Sequence, residues 1–162
     1  SLGYLVVASP HVGNVKVPKS YASMPDADLA IIDKRRESGM KVETKNLIGS
    51  VKGKSVLMFD DMISTAGTVC EAAKMVMEHG ARDVVSAATH AVLVGLAMER
   101  LNESPIRQII VTDSVPNGQP TPPMPDKLVR LTVAKLLGEA VHRIHHDMSI
   151  SALFRRGADV KR

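Results

Sequence analysis

Two adjacent carboxylates followed closely by hydroxyl side chains and a glycine are the residues of this sequence best suited to chemistry. They stand in the run Val56-Leu57-Met58-Phe59-Asp60-Asp61-Met62-Ile63-Ser64-Thr65-Ala66-Gly67-Thr68. Asp60 and Asp61 can accept hydrogen bonds from sugar hydroxyls or hold a cation. Ser64, Thr65, Ala66, Gly67 and Thr68 combine hydroxyls with side chains small enough for backbone N–H groups to close on an anion. The pattern reads as a strand over 56–59, an acidic turn at Asp60 and Asp61, an anion loop, and a helix over 69–79. A helix start offers unpaired N–H groups and the positive end of its dipole, so a phosphate fits there. The plainer alternative is a strand-to-helix turn in which Asp61 or Ser64 only caps the helix. Neighbouring residues of an extended chain face opposite ways, so Asp60 and Asp61 serve different partners, which favours the anion site.

Lys34-Arg35-Arg36 follows a second apolar run. Three charges in a loop are usually just solvated. In extended backbone, however, Lys34 and Arg36 project to one side, and a pair of cations at a strand end can close over transferring phosphates. His11 and His90 each follow a strand; a lone loop histidine is more often incidental than a ligand. His142, His145 and His146 have helical spacing but no acidic or cysteine partner on that face, so solvent-facing polarity is the better reading. Cys70, among alanines and valines, reads as a small core residue. Gly49-Ser50-Val51-Lys52-Gly53-Lys54-Ser55 imitates a nucleotide-binding P-loop, but its glycine spacing is one residue short and it precedes a strand instead of following one.

These residues need elements to position them. Strands are predicted at 5–8, 29–32, 56–59, 84–88, 108–112 and 128–131, with helices over 15–24, 69–79, 92–102 and 133–144. Residues 37–44 read as a mobile loop, and the proline-rich 116–125 as a surface excursion. His79-Gly80 reads as a helix C-cap. Strands alternating with helices imply a doubly wound, mostly parallel α/β sheet flanked by helices. One domain over 1–154 with a frayed tail over 155–162 is the expected organisation.

Composition excludes several classes. Only 2% of residues are aromatic and Trp is absent, so stacking platforms for single-stranded nucleic acid are missing. The net charge of +4 is dispersed and suits a small anion as well as a polyanion. One cysteine rules out an internal disulfide and fits a reducing compartment, and no apolar run approaches a membrane span. A soluble, cytoplasmic protein with neither nucleic acid nor membrane as partner is expected.

The run from Asp60 to Thr68 resembles the phosphoribosyl-diphosphate (PRPP) motif of type I phosphoribosyltransferase folds, in the form found in PRPP synthetases, the ribose-phosphate diphosphokinases. The resemblance extends through Asp28 to Arg36, Ala88-Thr89-His90-Ala91, Val111-Thr112-Asp113 and Ser151-Ala152-Leu153-Phe154, and so covers nearly the whole chain. It covers only the second half of the family enzyme. It implies transfer of the β,γ-diphosphoryl group of ATP to ribose 5-phosphate, giving PRPP and AMP, with Mg2+ as cofactor and a homo-oligomeric assembly. It also implies that Asp60 and Asp61 hold the ribose hydroxyls and associated magnesium, and that residues 64–68 wrap the 5-phosphate. Lys34 and Arg36 would be the catalytic pair that stabilises charge on the transferred phosphates. His11 stands where the family reads Asp, a metal ligand, and histidine suits oxygen-loving magnesium poorly. A non-catalytic regulatory subunit and a free-standing phosphoribosyltransferase remain alternatives.

Overall fold

The structure is a computed structural model that describes residues 5–9, 27–36, 43–116 and 125–155. Among these residues seven strands form one sheet: β1 Leu5–Ser9, β2 Ala27–Arg36, β3 Glu43–Ile48, β4 Ser55–Ile63, β5 Asp83–Ala91, β6 Gln108–Thr112 and β7 Leu128–Leu131. Their lateral order is β3-β2-β1-β4-β5-β6-β7. β1 pairs in parallel with β2 and β4, β4 with β5, and β5 with β6; β2 and β3 run antiparallel. This is the mostly parallel α/β sheet that the alternation of elements predicts. The winding direction reverses between β1 and β4, and ligands of open α/β sheets bind beyond the carboxyl ends of the strands at such a switch point.

Strand sequences explain the core. Val56 and Met58 of β4, Val84 and Ala88 of β5, and Ile109 and Val111 of β6 alternate with half-buried neighbours, so one face of the sheet is sealed. Helix α1, Gly67–Glu78, packs on β5 and buries Val69, Cys70, Ala72, Ala73, Met75 and Val76. The small residues let helix and sheet approach closely, while each fully buried Val or Met side chain contributes about 1.5–3 kcal/mol. α1 ends as the sequence predicts. Gly80 takes a left-handed φ of 85°, its N–H reaches the Met77 carbonyl at 2.9 Å, and the Ala81 N–H reaches Val76 at 3.1 Å. α2, Ala97–Glu103, follows β5 and is anchored at its far end, where the Lys127 ammonium donates to the Ser104 carbonyl at 2.8 Å and to the Asn102 carbonyl at 3.3 Å.

The chain divides into two compact units, Ser1–Arg130 and Leu131–Arg162. Within the second, α3, Ala134–His145, and α4, Ser151–Arg155, are the helices described. α3 closes with the same motif as α1, the Met148 N–H on Arg143 at 2.8 Å and the Asp147 N–H on Ile144 at 3.3 Å, with Asp147 at φ 52°. The frayed tail expected over 155–162 falls, past Arg155, outside the described residues, as do the 15–24 helix, the 37–42 part of the expected mobile loop and 117–124.

Several boundaries differ from the sequence reading, each because sheet pairing or tight backbone overrides local pattern. β2 does not stop at Ile32: it continues through Arg36 by pairing Lys34 with Lys45, Arg35 with Thr44 and Arg36 with Glu43. β4 and β5 likewise run on together to Ile63 and Ala91. The helix expected over 92–102 begins only at Ala97, because Leu93 at φ 47° and Gly95 at φ 59° keep the preceding residues out of helical conformation.

Candidate functional site

Asp60 and Asp61 lie within β4, not in a turn after it. Asp60 is half-buried and Asp61 exposed, at the point where the buried-and-open alternation of the strand gives out. One oxygen of each faces local backbone: Asp60 Oδ1 accepts from the Asp61 N–H at 2.9 Å, and Asp61 Oδ1 from the Met62 N–H at 2.8 Å. Both lie near the carboxyl end of the central strand.

The next residues turn the chain into α1. Ala66 is the N-cap residue, in left-handed conformation at φ 59° and ψ 3°, and no side chain caps the helix. The capping-turn alternative for Asp61 and Ser64 thus loses its basis. A helix leaves its first N–H groups without internal partners. Among the described residues, none accepts from the N–H groups of Ser64, Thr65, Ala66, Gly67, Thr68 or Val69. The carbonyls of the same stretch are occupied. Ile63 O accepts from the Val92 and Leu93 N–H groups, each at 3.0 Å, Ser64 O from the Val94 N–H at 3.1 Å, and Thr65 O from Arg100 Nη1 at 2.9 Å. In a trans peptide the N–H points opposite the preceding carbonyl, so binding the carbonyls on one side turns the Ser64, Thr65 and Ala66 N–H groups to the other. The result is a set of N–H donors on one side of the chain at a helix start, an arrangement that binds anions.

Gly67 has ordinary helical backbone, so its use is space and not conformational freedom. A Cβ there would stand 3.4 Å from Arg100 Nη1 and 3.9 Å from Thr65 Oγ1. Left-handed backbone costs a residue with a side chain roughly 1–2 kcal/mol, and such outliers gather at functional sites. Ala66 and Leu93 are two such outliers, Leu93 being bound through its N–H to the Ile63 carbonyl three residues before Ala66.

Lys34 and Arg36 belong to the β2–β3 arm. Ala8 pairs with Ala30 on one side and Met58 on the other, so counting four and six residues onward brings Lys34 level with Met62 and Arg36 level with Ser64. Where β1 lies between them, β2 and β4 are two strand spacings apart, roughly 10 Å. β1 ends at Ser9, while β2 and β4 run on past it. His11 lies outside the described residues. His90 sits on β5 itself, paired with Met62, and its Nδ1 is 2.9 Å from Ser114 Oγ, which donates to the Thr89 carbonyl at 3.0 Å. His142, His145 and His146 are exposed. Cys70 is buried, its Sγ donates to the Arg100 carbonyl at 3.4 Å, and burial raises its thiol pKa, which suits a packing residue and not a nucleophile. The P-loop imitation is a turn that leads into β4, where the Gly53 N–H donates to the Gly80 carbonyl at 2.7 Å.

The bracing segment, Val92 to Val94 and Arg100, escaped the sequence reading. It lies about thirty residues from the loop in the chain, and no local signal marks a residue that acts through a backbone carbonyl.

The chain is 50% identical over 153 residues to a ribose-phosphate pyrophosphokinase of Rhodopirellula baltica, covering 93% of this chain and 48% of that protein. It is 46% identical over 155 residues to the ribose-phosphate pyrophosphokinase of Gloeobacter violaceus, covering 95% of this chain and 46% of that protein. The chain thus spans about half the length of the curated relatives it matches. The crystal structure of phosphoribosylpyrophosphate synthetase from Mycobacterium smegmatis superposes with a TM-score of 0.79 at 36% identity, covering 88% of this chain and 45% of that one. Residues 6–155 match the phosphoribosyl synthetase-associated domain, and the chain belongs to that family.

Proposed function

We propose that this chain binds ribose 5-phosphate as one half of a ribose-phosphate pyrophosphokinase. The supporting observation is the 64–68 loop, whose carbonyls are held from one side and whose N–H groups open to the other at the switch point of the sheet. In this reading those N–H groups and the hydroxyls of Ser64, Thr65 and Thr68 hold the 5-phosphate. Asp60 and Asp61 accept hydrogen bonds from the ribose hydroxyls. The anomeric oxygen then bonds to the β-phosphorus of ATP while the bond from that phosphorus to the α,β-bridging oxygen breaks; AMP leaves and the hydroxyl proton passes to solvent. PRPP is the product. Lys34 and Arg36 stabilise the charge spread over the transferred phosphates, lysine as a mobile point charge and arginine as a planar fork.

Among the described residues no group of three or more His, Cys, Asp or Glu side chains could enclose a metal. As strand neighbours Asp60 and Asp61 face opposite ways, so either one singly would hold Mg2+, an ion that takes one or two carboxylates and completes its shell with water and substrate oxygens. When bound it would neutralise phosphate charge. The ATP-binding half and a homo-oligomeric assembly belong to the whole enzyme in this proposal. The names of the relatives favour the kinase reading over a free-standing transferase or a regulatory subunit.

Calorimetric titration of the chain with ribose 5-phosphate in the presence of Mg2+ tests the proposal. Saturable heat is expected, and Asp61→Ala should weaken binding about tenfold, the effect of losing a charge-assisted hydrogen bond. Absence of heat, or equal affinity in the variant, would sink the assignment.

A further inference from the structure

Of the three consecutive carbonyls held behind the anion loop, two are bound by main-chain N–H groups and one by a side chain. Ile63 and Ser64 are held by the backbone of Val92, Leu93 and Val94, contacts that almost any sequence can make. Thr65 is held by the guanidinium of Arg100, on the first turn of α2. We propose that Arg100 is a positioning residue for the anion loop: by gripping the Thr65 carbonyl it turns the Ala66 N–H, and with it the first turn of α1, toward the bound phosphate. The inference rests on reading residues 64–68 as the 5-phosphate cradle.

Three further observations support it. The peptide that Arg100 orients leads directly into Ala66, the left-handed N-cap residue. A strained conformation persists only where its surroundings over-determine it. Here the Ala66 carbonyl accepts from the Cys70 N–H at 3.1 Å on the helix side, and Arg100 fixes the peptide on the loop side. Second, Arg100 is itself tied to α1, because its own carbonyl accepts the Cys70 thiol at 3.4 Å. Its side chain therefore reaches the loop from a backbone already docked against the first turn of the helix it serves. Third, Gly67 leaves room for the guanidinium: a Cβ there would touch Nη1 at 3.4 Å. The glycine of the motif and an arginine 33 positions later are thus parts of one device.

Chemistry explains why the residue is arginine. The guanidinium is planar and keeps several N–H donors in fixed directions, so a single contact sets its orientation, whereas a lysine ammonium is a point charge that grips a carbonyl without fixing direction. Arg100 is solvent-exposed, so its hydrogen bond adds little to global stability, and its contribution falls on the geometry of the loop.

The test compares Arg100→Met and Arg100→Lys with the unmodified chain in two measurements. Calorimetry with ribose 5-phosphate and Mg2+ should show Arg100→Met about five- to tenfold weaker, with Arg100→Lys between it and the parent. In the ligand-free protein the 15N–1H resonances of Ala66 and Gly67 should move in Arg100→Met while the core amides of β4 and β5 stay in place. Parental affinity in Arg100→Met would overturn the proposal, as would unmoved Ala66 and Gly67 resonances. Core amides that shift together with the loop would also overturn it, by making Arg100 a general structural residue. If the parent chain fails to bind ribose 5-phosphate, the cradle reading falls, and the ligand-free spectra still decide whether Arg100 orients the loop.

Discussion

Helices α1 and α3 are both twelve residues long, and both close on a left-handed residue whose N–H, with that of the residue after it, returns to the last turn. α1 buries six side chains and α3 none. The difference does not come from the pattern. Leu136, Leu137, Val141 and Ile144 form an apolar stripe at helical spacing as clear as that of α1, yet they are 55–67% exposed. Periodicity makes a helix amphipathic; burial requires a second surface. α1 has that surface in β5, whereas among the described residues of Leu131–Arg162 no side chain of α3 is buried.

The same substitution at the two helices gives the sharpest contrast. Val76 is fully buried and Val141 is 67% exposed. Val76→Ala should lower the free energy of unfolding by about 2 kcal/mol, through lost burial and the cavity left behind. Val141→Ala should change it by less than about 0.5 kcal/mol. Urea unfolding of both variants measures the difference, and equal losses would erase the distinction drawn here.

The helix ends provide a smaller contrast. Gly80→Ala places a Cβ on a residue at φ 85° and against Lys52 Cγ at 3.4 Å, and should cost about 1 kcal/mol. Asp147→Gly relieves the equivalent position of α3 and should gain roughly 0.5 kcal/mol, less than the strain because glycine loses more chain entropy on folding. Thermal unfolding midpoints moving in opposite directions would bear this out.

Smallest is a pH effect confined to the first unit. Burial raises the Cys70 thiol above its ordinary 9.0, so the folded chain holds that proton more tightly than the unfolded one. Its contribution is complete below about pH 9 and is lost as pH rises through the raised value. Lys127, lowered by burial from 10.5, acts in the opposite sense: its contribution is present above 10.5 and lost as pH falls through the lowered value. Cys70→Ala should therefore flatten the alkaline decline in melting temperature, whereas an unchanged slope would remove Cys70 from the account.

Local composition carried much of this in the sequence. The apolar runs fixed which segments become most of the strands, Gly80 marked the end of α1, and the run from Asp60 to Thr68 contains the loop whose carbonyls are braced from one side. Sheet pairing did not show. Asp60 and Asp61 read as a turn because carboxylates are poor strand formers, yet register with β5 extends β4 through them. Lys34 and Arg36 became strand for the same reason, by pairing with a segment whose polar sequence announced nothing. The contact of Arg100 was illegible because it is made to a carbonyl brought near by the fold. The exposure of α3 was hidden too, since a sequence shows that a helix has an apolar face and not whether anything meets it.

The central claim is that the N–H groups of residues 64–69 receive the phosphate of ribose 5-phosphate. A 15N–1H titration of the chain with ribose 5-phosphate and Mg2+ tests it most directly. The largest shifts are expected at Ser64, Thr65, Ala66, Gly67, Thr68 and Val69, with the amides of α3 unmoved, and inorganic phosphate should move the same set more weakly. Shifts centred on α3, or a 64–69 segment that stays still while ligand binds, would contradict the account.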